Sequence, residues 1–158
     1  MKFLLVSDNH RDKYALIDLF SIYQDMDLYL HVGDSELNNE DIYPFTSVKG
    51  NCDYYSTFPH KLIIKTTIGN ILIKHEPVIN KEEIQKDDIK IFIHGHTHVP
   101  EIRKDNDLIT LCPGSLNFPR SKYQRTYMIV EIKDETLTVN LYSFEDKKLL
   151  ISEQYRIE

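Results

Sequence analysis

The chain has 158 residues, of which 41% are hydrophobic and 28% charged, with 5 glycines, 6 prolines and 2 cysteines. That length suits one domain over residues 1–158 with a real core, and the composition excludes a disordered, collagen-like or disulfide-built chain. With 19 Lys and Arg against 25 Asp and Glu the net charge is −6, which excludes a broad basic surface for nucleic-acid backbones, so chemistry on phosphates has to come from a local site.

Residues 2–7 form a continuous apolar run that stops at Asp8 and reads as a buried strand. Leu16, Leu19, Phe20 and Tyr23 recur at the spacing of one helix face, which predicts an amphipathic helix over 13–24. Residues 28–32 and 46–49 are two more short strands, ending at Gly33-Asp34 and Gly50-Asn51, so the opening reads as a parallel βαβ arrangement. Residues 62–67 and 71–74 flank Gly69-Asn70 as a hairpin whose second arm ends at His75. Asn80 and Glu83 make a capping box for a short helix, followed by a strand over 90–93 that ends at His94-Gly95-His96. The remaining runs, 108–111, 126–132, 136–142 and 149–155, are separated by polar turns and read as antiparallel. The expectation is an α/β sandwich with parallel strands in its first half and hairpins in its second. No apolar run approaches the roughly 20 residues that cross a bilayer, and Phe3-Leu4-Leu5-Val6 is too short for an export signal. A cytoplasmic protein with no membrane partner is expected, with Cys52 and Cys112 as free thiols.

Five of these strands end in a residue able to hold a metal, and in open α/β sheets ligands bind beyond the carboxyl ends of the strands. The i, i+2 spacing of Asp8/His10 and of His96/His98 places side chains of an extended backbone on one face, so each pair can clamp one site. Gly33, Gly50, Gly95 and Gly114 abut the same segments, where the backbone must turn or approach closely. Asp8, His10, Asp34, Asn51, His75, His96 and His98 offer imidazole, carboxylate and one amide oxygen but no thiolate. That set suits manganese, iron, zinc, cobalt or nickel and excludes an iron–sulfur or structural zinc site. Seven ligands exceed the needs of one tetrahedral ion. If one carboxylate bridges, they divide into two sets of four, as in two-metal hydrolases with ions roughly 3.5–4 Å apart.

Asp8-x-His10, Gly33-Asp34, Gly50-Asn51-Cys52-Asp53, His75 and Gly95-His96-Thr97-His98, in this order, resemble the calcineurin-like metallophosphoesterase superfamily. The short chain, the Cys in Gly-Asn-Cys-Asp and the following Pro113-Gly114-Ser115 resemble its small bacterial and archaeal phosphodiesterases. The resemblance implies a four-layer αββα sandwich, two mixed β-sheets flanked by helices. It implies two divalent ions, manganese first, one on Asp8, His10, Asp34 and His98 and the other on Asp34, Asn51, His75 and His96. The implied activity is hydrolysis of a small phosphate ester, a diester first, by a hydroxide bridging the ions, with Asn51 holding non-bridging oxygens. Two divalent ions and two aspartates leave a local charge of about +2, which attracts phosphate despite the acidic chain.

Three positions depart from that pattern. Cys52 stands where many relatives have a histidine thought to protonate the leaving group; a thiol can donate that proton or simply pack behind the site. Glu76-Pro77 follows His75 where relatives have glycine, and an inward carboxylate would repel phosphate or narrow the pocket. Cys112 stands where relatives often have asparagine and reads as packing. His31, His60 and His94 read as structural, and Arg120 as a phosphate ligand or a salt-bridge partner. The alternative to an enzyme is a catalytically weak or inactive domain of the same fold, serving as a protein-interaction scaffold or a nucleotide-binding regulator. A homo-oligomer is compatible with the sequence.

Overall fold

The computed structural model describes residues 1–158. β1 (Lys2–Val6) is followed by α1 (Lys13–Ile22) and by β2 (Leu28–His31) and β3 (Thr46–Ser47), both parallel to β1. α1 starts where the Asp12 side chain accepts the Ala15 N–H. It stops two residues before the expected Gln24, ahead of Asp25 and Asp27, whose carboxylates oppose the negative end of the helix dipole. β4 (Lys61–Thr66) and β5 (Gly69–Lys74) form the expected hairpin. α2 (Lys81–Lys86) carries the capping box of Asn80 and Glu83, and β6 (Ile89–Ile93) follows it. Then come β7 (Glu101–Asp105), β8 (Leu108–Cys112), β9 (Thr126–Lys133), β10 (Thr136–Ser143) and β11 (Leu149–Arg156).

The strands make two mixed sheets, of order β11-β10-β9-β1-β2-β3 and β4-β5-β6-β8-β7. The expected split of parallel first half and antiparallel second half holds in the six-stranded sheet, where β1, β2 and β3 run parallel at one end and β9, β10 and β11 antiparallel at the other; the five-stranded sheet corrects it, with parallel β5, β6 and β8 at its centre between antiparallel β4 and β7. β8 runs parallel to β6 although it lies in the second half, because β7 intervenes as a crossover connection. β7 itself escapes sequence reading, since Glu-Ile-Arg-Lys-Asp is an exposed, charged edge strand held by pairing with β8 and has no apolar alternation to betray it.

Alternation along β1 divides the layers. Phe3 and Leu5 join Leu30, Ile71, Ile73, Ile91, Ile93 and Val130 in the core between the sheets. Leu4 and Val6 turn outward to Leu16 and Leu19 of α1. Each of these fully buried aliphatic side chains contributes about 1.5–3 kcal/mol by leaving water. On the other outer face Leu72, Ile89 and Phe92 form a small cluster, beside α2, which buries none of its own residues. The four layers are present, with thin helical ones. β1, β2, β5 and β6 all deliver their carboxyl ends to one rim, and there the polar loops meet.

Candidate metal centre

The seven residues expected to share a site do meet on that rim. On one side His98 Nε2 lies 3.2 Å from Asp8 Oδ1 and 3.3 Å from His10 Nε2. On the other side Asn51 Oδ1 lies 3.0 Å from His75 Nε2 and 3.0 Å from His96 Nδ1. Asp34 Oδ2 faces both, 3.2 Å from His75 Nε2 and 3.9 Å from His10 Nε2. Asp8, His10 and His98 form one group whose ligand atoms lie within 4.8 Å of one another, and Asp34, His75 and His96 form a second. A third such group, His10, Asp34 and Cys52, brings in a thiol that the sequence reading left out of the ligand set.

The local backbone differs from the extended form that the i, i+2 spacings suggest. Asp8, His10, Asp34, His96 and His98 have φ of 55°, 40°, 58°, 70° and 60°. All five are left-handed, a conformation that costs a non-glycine residue roughly 1–3 kcal/mol and survives only where the surroundings enforce it. The tight turns also separate His96 from His98, which join opposite groups rather than clamping one site together. Close packing enforces the arrangement: a Cβ on Gly50 would collide with the Asp34 side chain, and one on Gly95 would reach Asp8 Oδ2 at 2.8 Å.

Each carboxylate has one oxygen tied down and one turned to the centre. Asp8 Oδ2 accepts from Ser7 Oγ and from the His96 N–H, the latter at 3.1 Å. Asp34 Oδ1 accepts the Cys52 N–H at 2.8 Å. Three imidazoles are oriented through Nδ1: His10 on Glu36 Oε2 (3.0 Å), His75 on the Val32 carbonyl (2.8 Å) and His98 on the Phe118 carbonyl (2.8 Å). With the proton held at Nδ1, neutral His10 and His98 turn lone pairs toward each other. Asp8 Oδ1, beside them, is the one buried side-chain oxygen or nitrogen without a hydrogen-bond partner. Lone pairs converging on one point need a cation there, and imidazole with carboxylate is the donor set of a divalent ion with oriented ligands.

Protons answer the same demand. A proton on His98 Nε2 would bond to Asp8 Oδ1, and that interaction raises His98 against the opposing effect of burial. Burial would lower His75, but bonding to Asp34 and the charge of Asp8 raise it on balance. Burial would likewise raise both carboxyls; His98 and His75 reverse this for Asp8, and His75 with the Cys52 N–H pulls Asp34 down to about 2. Burial, then Asp34 and Glu36, push the Cys52 thiol up to about 11, so it keeps its proton at neutral pH.

Sequence reasoning gave no role to Asp53, Ser7 or Glu36. Asp53 is buried and accepts the N–H groups of Asp34 (2.9 Å), Glu36 (2.8 Å) and Gly50 (2.7 Å), joining the loop of Asp34 to the loop of Asn51. Its place within Gly50-Asn51-Cys52-Asp53 was the available signal. His94 turns away to Gly95 O and Glu101, and His60 is exposed. Arg120 is exposed, with its backbone N–H on the His98 carbonyl. Cys112 is fully buried, with its thiol pushed up to about 12 by burial. Both cysteines are free, and no helix is long and apolar enough to cross a membrane.

Residues 1–135 match the calcineurin-like phosphoesterase superfamily domain. The chain is 28% identical over 156 residues to a probable metallophosphoesterase, YsnB, of Bacillus subtilis, covering 90% of each. A conserved protein of Streptococcus pneumoniae, described as a predicted phosphoesterase, superposes with a TM-score of 0.86 at 25% identity over 98% of this chain and 97% of that one. Vps29 of Entamoeba histolytica, in a zinc complex, shares the fold at a TM-score of 0.72 and 22% identity over the whole of both chains.

Proposed function

The chain belongs to the calcineurin-like phosphoesterase superfamily, and from that premise we propose that it is a two-metal phosphodiesterase acting on a small phosphate ester in the cytoplasm. Asp8, His10, Asp34 and His98 would hold one ion and Asp34, Asn51, His75 and His96 the other, with manganese the first candidate. The observation that carries this reading is Asp34: one carboxylate oxygen is tied to the Cys52 N–H while the other faces the imidazoles of both groups. Divalent ions bound there would polarise phosphoryl oxygens and lower the pKa of a water toward about 7.

The chain's own side chains supply the rest. Asn51 Nδ2 contacts only Cys52 Sγ, at 3.5 Å, and is free to hold a non-bridging phosphate oxygen once Oδ1 is engaged. Cys52, protonated at neutral pH, stands beside Asp34 and His10 where it can give its proton to a departing alkoxide. The exposed guanidinium of Arg120 can bind phosphate in a fork. Asp8, Asp34, Glu36 and Asp53 make the metal-free rim acidic, so phosphate binding here depends on the ions.

The test is elemental analysis joined to hydrolysis of bis-p-nitrophenyl phosphate and p-nitrophenyl phosphate by chelated protein, with Mn²⁺ or another divalent ion added back. About two ions per chain and restored diester hydrolysis are expected. No bound metal would overturn the reading, and two ions without turnover of either compound would move it to the scaffold or regulator.

A further inference from the structure

We propose that His31 is a positioning residue that sets the relation between the two carboxylates of the centre, by hydrogen-bonding both of the loops that carry them. The inference rests on the two-metal reading of those loops. His31 ends β2 and is 1% exposed. Its Nδ1 accepts the N–H of Gly33 at 3.0 Å, and its Nε2 lies 2.7 Å from Asn9 Oδ1. The first bond decides the second. A ring nitrogen that accepts carries no proton, so in the neutral ring the proton sits on Nε2 and Asn9 Oδ1 receives it. The amide end of Asn9 then donates to the Asp12 carbonyl at 3.1 Å, at the start of α1.

The position of the two partners gives these bonds their consequence. Asn9 lies between Asp8 and His10, and Gly33 immediately precedes Asp34. Gly33 and the three ligands beside the partners are left-handed, with φ of 55° at Asp8, 40° at His10, 104° at Gly33 and 58° at Asp34. Backbone bonds join the same loops, Asp8 N–H to Gly33 O and His10 N–H to Asp34 O, both 3.1 Å. His31 joins them a second time, through a side chain, and Asn9 is fully buried, so no water is at hand to replace it. One imidazole therefore orients the turn that presents Asp8 and His10 against the turn that presents Asp34. Changing it strands a buried N–H and a buried amide oxygen directly behind the ligands.

The two bonds can be separated. His31→Asn keeps an acceptor for Gly33 but cannot reach Asn9, whereas His31→Gln carries a donor toward Asn9 but loses the Gly33 acceptor. Metal-free wild type and both variants, checked for fold by circular dichroism, would be titrated with Mn²⁺ and followed by electron paramagnetic resonance. That measurement reports free Mn²⁺ and the spin coupling of a bound pair. Each variant is expected to bind the pair about 10–100-fold more weakly and with altered coupling, as for other groups that orient ligands. Asn9→Ala, which leaves His31 in place, should weaken binding similarly and add little to His31→Asn; if the His31 variants do not fold, this variant reads the same bond alone. Wild-type affinity and coupling in variants whose only change is a lower Tm would overturn the proposal and leave His31 a packing residue. Failure of the wild type itself to bind Mn²⁺ or another divalent ion would instead overturn the two-metal reading.

Discussion

On one side of Asp34 stand Asp8, fully buried, and His98, only 6% exposed, with His10 beside them. On the other side His75 is buried, but Asn51 and His96 are exposed. The first set is held from behind by Ser7, Glu36 and the Phe118 carbonyl. Asn51 and His96 lean chiefly on each other and on His75. A preorganised, dry set loses little freedom when an ion arrives, whereas a loose, wet set must be ordered by it. On the proposed two-metal reading, the buried side would retain an ion, and the open side would exchange one and meet substrate.

The largest effect should come from the residue that belongs to both sides. Asp34→Asn is expected to lose both ions by elemental analysis and, since they supply several kcal/mol of transition-state stabilisation, on the order of 10³-fold in kcat/KM. Retention of one ion would show that Asp34 serves a single side. Next, Cys52→Ala should cost on the order of 10²-fold with an alkyl diester, the usual scale of general-acid catalysis, and almost nothing with a p-nitrophenyl leaving group that needs no proton. Equal losses with both would assign the thiol to packing.

Acid probes the buried side by way of His31, whose pKa burial lowers from 6.5 to about 4. Below pH 6.5 the unfolded chain takes up a proton that the folded chain refuses, so stability falls as the pH drops and levels off below about 4. The difference corresponds to about 3 kcal/mol. His75 and His98, raised in the folded chain, act in the opposite direction in both proteins, so urea denaturation of chelated protein at pH 7 and pH 4.5 should show the His31 contribution as a difference, wild type losing about 2 kcal/mol more than His31→Gln, which has no such group to titrate. Parallel losses would remove His31 from the cause. His98→Ala and His96→Ala then compare the sides directly. Each should lose about one ion, but His98→Ala also leaves Asp8 buried without its partner and should lower the Tm of chelated protein by several degrees. His96→Ala should leave that Tm nearly unchanged, and equal Tm values would erase the distinction.

How much of this was legible in the sequence follows from the physics of each element. Apolar runs at β1, β5, β6 and β9 carry their own signal because burial demands it. Strand-end ligands are legible because a parallel sheet gathers its carboxyl ends. β7 is silent because pairing, not burial, makes it a strand. The left-handed backbone at Asp8, His10, Asp34, His96 and His98 is also silent, since Asp and His tolerate that region without advertising it and the enforcing contacts, such as Gly95 against Asp8, come from residues distant in sequence. The same holds for Asp53, whose three N–H partners belong to two loops that only the fold joins.

The smallest effect tests how open the open side is. Glu76 follows His75 and is exposed, on the wall of a cavity of about 390 Å³ that also touches Asn51, Lys49, His60 and Lys74. Of the two lysines there, Lys74 is engaged by Glu83 at 2.9 Å, which leaves Lys49 to offset the Glu76 charge as seen by an incoming phosphate. An exposed charge acts through water, so its repulsion is under about 1 kcal/mol and is screened by salt. Glu76→Gly should therefore raise kcat/KM for bis-p-nitrophenyl phosphate about two- to fivefold at low ionic strength, and the gain should shrink at 0.5 M salt. A gain that persists in salt would mean that Glu76 acts by bulk, narrowing the cavity. No gain at all would place the substrate's path along the buried side, and the division of labour between the two sides would have to be redrawn.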